Sequence, residues 1–94
     1  MKLYDMLDVT KYDNKVLIMA NDKHDNKHFI FKGKVDEARN DENVWNYLQN
    51  KIDGYDVYKN VIVIIVKTKD RWSNGERYDY EKRTIDKWLG EVNE

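Results

Sequence analysis

The spacing of apolar residues changes along the chain, which predicts a mixture of helices and strands. Leu3, Met6 and Leu7 are spaced as they would be on one face of a helix, which we expect to end near Thr10. A helix this short is marginal by itself and must pack against other elements to persist. The opening segment is therefore predicted to be a docked helix.

A hairpin and a second helix are predicted next. The β-favouring runs at residues 15–20 and 27–35 are separated by a polar stretch, which indicates a hairpin with a long turn. Asp41 is a suitable N-cap for a following helix, and Gly54 is a suitable stop. The apolar positions of that helix would be Val44, Trp45, Leu48 and Ile52.

The most apolar part of the chain is the run VIVIIV, within a strand predicted at residues 57–68. Six consecutive β-favouring residues indicate a central strand that is buried on both faces. Side chains alternate between the two faces of a strand, so helices on one side alone would leave an apolar stripe in water. The second face must be covered by the terminal helices or by a second copy of the chain, and the latter possibility predicts a homodimer.

The C-terminal part has two interpretations. Ile85, Trp88, Leu89 and Val92 are spaced as on one helical face. Upstream, Asn74-Gly75 is a pair typical of tight hairpin turns, which predicts a second hairpin within residues 69–83. The same residues could instead belong to a longer C-terminal helix. The expected fold is a single α+β domain over residues 1–94: a small, mostly antiparallel sheet, with two hairpins around a central buried strand, packed with two to three helices.

Composition narrows the possible functions. Seventeen basic and eighteen acidic residues leave a net charge of −1, so a nucleic-acid partner could be held only by a local basic patch. The absence of cysteine excludes disulfides and thiolate chemistry. With no signal-peptide pattern and no apolar run long enough to cross a bilayer, we expect a cytoplasmic protein without a membrane partner.

One candidate binding surface is basic and aromatic. It would comprise Arg71, Trp72, Arg77, Tyr78 and Tyr80. Aromatic rings flanked by cations on an exposed sheet can stack on the bases of single-stranded nucleic acid. However, residues 69–83 hold five cations and four carboxylates, so their net charge is only +1. The rings could equally pack inside the protein, with the charges forming a solvated rim.

A second candidate surface is acidic. It would comprise Asp36, Glu37, Asp41 and Glu42. Residues 36–53 carry a net charge of −3 and could face the basic nucleic-acid channel of another protein. Alternatively, these carboxylates simply complement the dipole at the start of a helix.

Candidate chemistry is sparse, and we expect no catalytic residue, metal or cofactor. His24 and His28 would align on a helix to bind zinc, but Asp25 and Asn26 between them favour a turn. A nuclease would need a carboxylate two residues before Lys67, where the chain has Ile65 instead. The sequence therefore favours a binding protein over an enzyme.

Three stretches carry a resemblance: KLYDMLDV, then DNKVLIMANDKHDNKHFIFKGKV, then VWNYLQNKIDGYDVYKNVIVIIV. Together they resemble small proteins of unassigned function encoded by phages and mobile elements of AT-rich Gram-positive bacteria. Residues 69–94 lie outside the resemblance. It implies an accessory factor that works by contact with other proteins, a class that includes inhibitors of host defence such as anti-CRISPR proteins. The alternative is a single-stranded nucleic-acid-binding module.

Overall fold

The computed structural model describes residues 1–20, 29–68 and 74–93, with the side chains of the last segment described for residues 77–90. This part of the chain forms one four-stranded sheet and four helices, so the α+β class is confirmed. In chain order the elements are α1 (Leu3–Val9), β1 (Lys15–Ala20), β2 (Phe31–Lys34), α2 (Val35–Ala38), α3 (Glu42–Trp45), β3 (Ile52–Tyr58), β4 (Val61–Val66) and α4 (Asn74–Asn93).

The sheet is mixed, with the strand order β2-β1-β4-β3. β1 pairs antiparallel with β2, and β3 pairs antiparallel with β4, but the two central strands β1 and β4 are parallel. The antiparallel pairs are hairpins, whereas the parallel pair requires the long connection through α2 and α3. The expectation of a mostly antiparallel sheet is corrected to a mixed one.

Both faces of the central strand β4 are covered within one chain. On one face, Ile64 and Val66 join a core with α1, α2 and α3; on the other, Val63 and Ile65 join a core with α4. The first core contains Leu3, Leu7, Val16, Ile18, Val35, Ala38, Val44, Ile64 and Val66. The second contains Leu17, Met19, Val61, Val63, Ile65 and Ile85. The prediction of a strand buried on both faces is confirmed, and its burial does not require a second copy of the chain.

The second hairpin lies in a different place from the one predicted. Residues 69–73 are outside the described part, but Asn74 begins α4, so Asn74-Gly75 is not the turn of a strand pair. Instead, β3 and β4 form the hairpin around Lys59 and Asn60, whose φ angles are 50° and 66°. Two consecutive left-handed residues suit a two-residue turn between twisted strands. The residue pair Lys-Asn is a weaker sequence signal for such a turn than Asn-Gly.

The helix predicted after Asp41 is also shorter than expected. It ends at Trp45. Ile52, predicted to lie in the helix, and Gly54, predicted to end it, both lie in strand β3. The predicted strand at residues 57–68 accordingly divides into the end of β3, the turn and β4. Leu48 and Ile52 still pack against the first core, so their burial was indicated correctly although their secondary structure was not.

The opening helix and the antiparallel pairing of the first hairpin's strands agree with prediction. The second strand is shorter than the predicted run at residues 27–35, because β2 comprises Phe31–Lys34 and Val35 begins α2, while the predicted turn lies outside the described residues. α1 ends at Val9, next to Thr10, whose hydroxyl donates to the carbonyl oxygen of Met6 at 2.6 Å. In β2, a Cβ atom added at Gly33 would lie 2.8 Å from Cζ of Phe31, so a larger residue would displace the Phe31 ring from its place beside the first core. Close packing therefore explains the glycine in FKGKV.

Candidate functional site

The predicted basic and aromatic surface is only partly assembled on α4. Arg71 and Trp72 lie outside the described residues. Tyr80 is partly buried against the second core, whereas Tyr78 is exposed to solvent. The Arg77 guanidinium lies 5.2 Å from the Tyr78 ring centroid. Because one ring points inward, Tyr78 and Tyr80 do not present a shared stacking face as predicted for a strand.

Arg77 is tied to a buried carboxylate. Its Nε lies 3.3 Å from Oε1 of Glu81, and only 13% and 4% of the two side chains are exposed. The two atoms are close enough for an ion pair but are not aligned for a hydrogen bond. Burial raises the pKa of Glu81 above its ordinary value, and Arg77 opposes that shift. The charge of Arg77 is therefore committed to the interior of the protein and is a poor contact for phosphate.

Most of the predicted acidic surface serves as helix caps. Asp41 Oδ1 accepts hydrogen bonds from the backbone N–H groups of Asn43 at 2.8 Å and Val44 at 3.2 Å. At the start of α2, Glu37 accepts from the Lys34 N–H at 3.4 Å, and Asp36 accepts from the Glu37 N–H at 2.9 Å. Glu42 lies in the first turn of α3. The structural interpretation of these carboxylates therefore holds, but they remain at the surface, where their charge is available to a partner.

A surface that the sequence did not indicate is organised around Arg39. We name it the Arg39 surface, and it comprises Tyr4, Asp8, Tyr12, Arg39 and Trp45. Arg39 Nη2 donates to the Leu7 carbonyl oxygen at 2.8 Å and lies 3.6 Å from Oδ1 of Asp8. Its guanidinium is 5.1 Å from the Tyr12 ring centroid, and the Trp45 indole N–H donates to the Arg39 carbonyl oxygen at 2.8 Å. Arg39 thus connects three parts of the chain: helix α1, the loop that follows α1, and helix α3.

The aromatic side chains of this surface are exposed, and a groove lies beside them. Tyr4, Tyr12 and Trp45 are 54%, 64% and 52% exposed. The groove has a volume of about 190 Å³ and is lined by Tyr4, Leu7, Asp8, Arg39 and Leu48. Buried Leu7 and partly buried Leu48 make part of its lining apolar. The groove is large enough to receive an apolar side chain of a partner.

The helical layer around the Arg39 surface is acidic. Residues 3–9 and 35–45 together hold six carboxylates and one cation, Arg39. The four predicted acidic residues are therefore joined by Asp5 and Asp8 of α1, which covers the same side of the sheet. This grouping is a property of the tertiary fold, because α1 and α2 are separated by about 25 residues of sequence.

The opposite side of the sheet carries a group of lysines, which we name the lysine patch: Lys15, Lys32 and Lys34. Lys15 lies directly opposite Lys34 in the β1–β2 ladder, and Lys32 is on the same face. The Nζ atoms of Lys15 and Lys32 both lie 5.8 Å from the Trp88 ring centroid. Like charges directly opposite one another repel, which costs stability. The combined positive charge of the three lysines attracts anions.

The described part of the chain offers neither a grouped set of metal ligands nor a membrane-spanning helix. Within residues 1–20, 29–68 and 74–93, no three or more His, Cys, Asp or Glu side chains are grouped so that they could hold a metal ion. The candidate ligands His24 and His28 lie outside this part. None of the described helices is long and apolar enough to cross a bilayer.

Sequence reasoning could have found part of the Arg39 surface. Tyr4 and Trp45 interrupt or flank the apolar faces of their helices, and an arginine between two acidic pairs is a visible feature of residues 36–42. What the sequence lacks is any sign that α1 lies beside Arg39.

Comparison with models of protein families, with curated proteins and with solved structures gave no match.

Proposed function

We propose that this chain is a small non-enzymatic binding protein that acts by protein–protein contact through the Arg39 surface. The observation that carries the proposal is the exposure of Tyr4, Tyr12 and Trp45 around one arginine, beside an open groove. Tyrosine, tryptophan and arginine dominate the energetically important residues of protein interfaces. Rigid aromatic side chains supply large contact areas at little cost in conformational entropy.

The biological role that we propose comes from the resemblance to proteins of phages and mobile elements. An accessory factor that blocks host machinery needs a rigid surface and no reactive group. The acidic helical layer suits a target with a basic surface, such as the nucleic-acid channel of a defence nuclease. Inhibition of the anti-CRISPR type is one form of this role.

The experiment is affinity capture from a lysate of an AT-rich Gram-positive host, with and without nuclease treatment, followed by mass spectrometry. The test variant is Tyr4→Ala with Tyr12→Ala, and the matched control is Tyr78→Ala, an exposed tyrosine on α4. We expect the double variant to lose a nuclease-resistant partner that the wild type and the control retain. Equal capture by all three proteins, or capture of nothing by the wild type, would refute the proposal.

A charge-reversal pair separates the two faces of the protein. Glu42→Lys reverses a charge on the acidic layer at a carboxylate that makes no described capping bond, whereas Lys87→Glu reverses a charge on exposed α4. Arg77→Glu is a poor choice for this purpose, because it would place a second carboxylate against buried Glu81. Binding through the Arg39 surface should weaken with Glu42→Lys and remain with Lys87→Glu.

The second candidate function is single-stranded nucleic-acid binding, and the lysine patch is the observation that favours it. Cations beside an aromatic ring are a common means of holding a single strand, although a base could stack on Trp88 only if Lys15 and Lys32 moved aside. Fluorescence anisotropy with labelled single-stranded DNA and RNA at low salt tests it. A binder should lose affinity for all sequences with Lys32→Glu and Lys34→Glu, and flat curves at high micromolar protein would eliminate this function.

A further inference from the structure

The groove of the Arg39 surface is lined by residues from three parts of the chain. α1 contributes Tyr4, Leu7 and Asp8, which share one face of the helix because they are spaced by three and four residues. Arg39 follows α2, and Leu48 follows α3. Leu48 is held beside α1, because its carbonyl oxygen accepts a hydrogen bond from the Tyr4 N–H at 3.0 Å. The groove is therefore formed before a partner binds, which lowers the cost of ordering it.

The charge of Asp8 is only partly compensated by Arg39. The Asp8 side chain is 64% exposed, and its Oδ1 lies 3.6 Å from Arg39 Nη2, which is too far for a hydrogen bond. Arg39 Nη2 donates instead to the Leu7 carbonyl oxygen at 2.8 Å. An ionised carboxylate can accept several hydrogen bonds through its two oxygens. Arg39 therefore leaves the acceptors of Asp8 available to a group that enters the groove.

The rest of the lining suits the stem of a long side chain. Leu7 is buried and Leu48 is partly buried, so both present apolar surface to the groove. Tyr4 is 54% exposed and lies one helical turn before Asp8. Lysine and arginine lay their methylene groups on apolar surface while the charged head stays in water, and a cation is attracted to the face of an aromatic ring. The groove offers all three contacts: apolar surface, an aromatic ring and a carboxylate.

Charge decides between the possible occupants of the groove. An apolar side chain would cover the Asp8 carboxylate without giving it a partner, which costs free energy. An acidic side chain would meet a helical layer in which residues 3–9 and 35–45 hold six carboxylates and one cation. That cation, Arg39, already donates to the Leu7 carbonyl oxygen and lies 5.1 Å from the Tyr12 ring centroid. A basic side chain avoids both penalties, because the six carboxylates outweigh its repulsion by Arg39.

We propose that the groove binds a lysine or arginine side chain from a basic segment of a partner protein. The stem of that side chain contacts Leu7 and Leu48, and its charged head pairs with Asp8 beside the Tyr4 ring. The acidic helical layer attracts the basic segment as a whole, and the groove selects one of its side chains. The inference deepens the proposed function and rests on it for the existence of the partner.

The test measures the binding of short peptides to the full chain by NMR at physiological salt. Two probes carry a central lysine or arginine between alanines, with an acetylated N-terminus and an amidated C-terminus. The matched control peptide carries norleucine at the centre, which keeps the apolar stem and lacks the charge. We expect both basic peptides to give saturable shifts of the Leu7, Asp8, Arg39 and Leu48 amides in the millimolar range. The dissociation constant of the norleucine peptide should be at least about fivefold higher.

Two variants separate the groove from the general charge of the layer. Asp8→Asn keeps the size of an exposed side chain, removes its charge and should weaken the basic peptides about fivefold. Glu42→Gln removes a charge from the same layer outside the groove and should change their affinity less than about twofold, because salt screens the distant charge. The proposal is overturned if neither basic peptide gives saturable shifts at the groove or if the norleucine peptide binds as tightly. It is also overturned if Asp8→Asn has no larger effect than Glu42→Gln.

These outcomes are distinct from those of the affinity capture. Binding of the basic peptides at the groove, with no partner captured by the wild type, would support the groove inference and refute the proposed function. A captured partner that is lost with Tyr4→Ala and Tyr12→Ala but retained in full by Asp8→Asn would have the opposite meaning. It would support the proposed function and overturn the assignment of a basic side chain to the groove.

Discussion

Replacement of Ile85 by alanine tests whether α4 covers the second face of the sheet. Among residues 77–90 of α4, Ile85 is the one apolar residue that is completely buried. Tyr80, Trp88 and Leu89 are only partly buried. Truncation of a buried isoleucine to alanine costs about 2–5 kcal/mol, through lost burial and the cavity left behind. We expect about 3 kcal/mol, because the sheet beneath it cannot collapse into the gap.

That loss is large compared with the stability of a chain of this size. At about 0.05–0.15 kcal/mol per residue, 94 residues give a free energy of unfolding of about 5–14 kcal/mol. The variant should therefore still fold, with a melting temperature lowered by about 12–24 °C. Urea titration followed by circular dichroism gives the free energy of unfolding directly.

The control is Val9→Ala, at a residue that is 71% exposed, which should change stability by less than about 0.5 kcal/mol. Ile85→Val, which removes one methyl group, should cost about 1 kcal/mol. If Ile85→Ala costs as little as Val9→Ala, then α4 does not stabilise the fold by burial at this position. The second face of β4 would then need another cover, such as a second copy of the chain.

Three further predictions concern single charges. Burial raises the pKa of Glu81, so the folded state holds this proton more tightly than the unfolded state does. The wild type should therefore lose stability as the pH rises above 4.5. In urea unfolding measured at several pH values, Glu81→Gln should not show that decline. Hydrogen bonds from Lys59 at 2.6 Å and from the Tyr58 hydroxyl at 3.0 Å lower the pKa of Asp86. Asp86→Asn should therefore be less stable than the wild type at neutral pH, and this difference in the free energy of unfolding should vanish as the pH falls below 3.8. Asp41→Ala removes the α3 cap and should cost about 1 kcal/mol, measured by urea unfolding, whereas Asp41→Asn should cost less.

The sequence alone determined the elements whose signals are local. The opening helix, the first hairpin and the buried character of Val61–Val66 follow from apolar spacing, which depends only on the residues concerned. The acidic character of residues 36–42 was equally visible, because charge is a property of composition. The same local rules failed at Asn74-Gly75, where a favoured turn pair lies at the start of a twenty-residue helix.

Tertiary structure decided what covers the buried strand and which residues meet at the surface. Ile52 has helical spacing from Val44, but α3 ends at Trp45 and Ile52 pairs with Val66 of β4. Pairing with β3 gives the backbone groups on that side of β4 their partners, a requirement that the spacing of apolar residues does not reveal. The Arg39 surface exists because α1 docks beside α2 across a long connection. Contacts between distant segments carry no periodic signal in the sequence, so the Arg39 surface and the lysine patch became visible only in three dimensions.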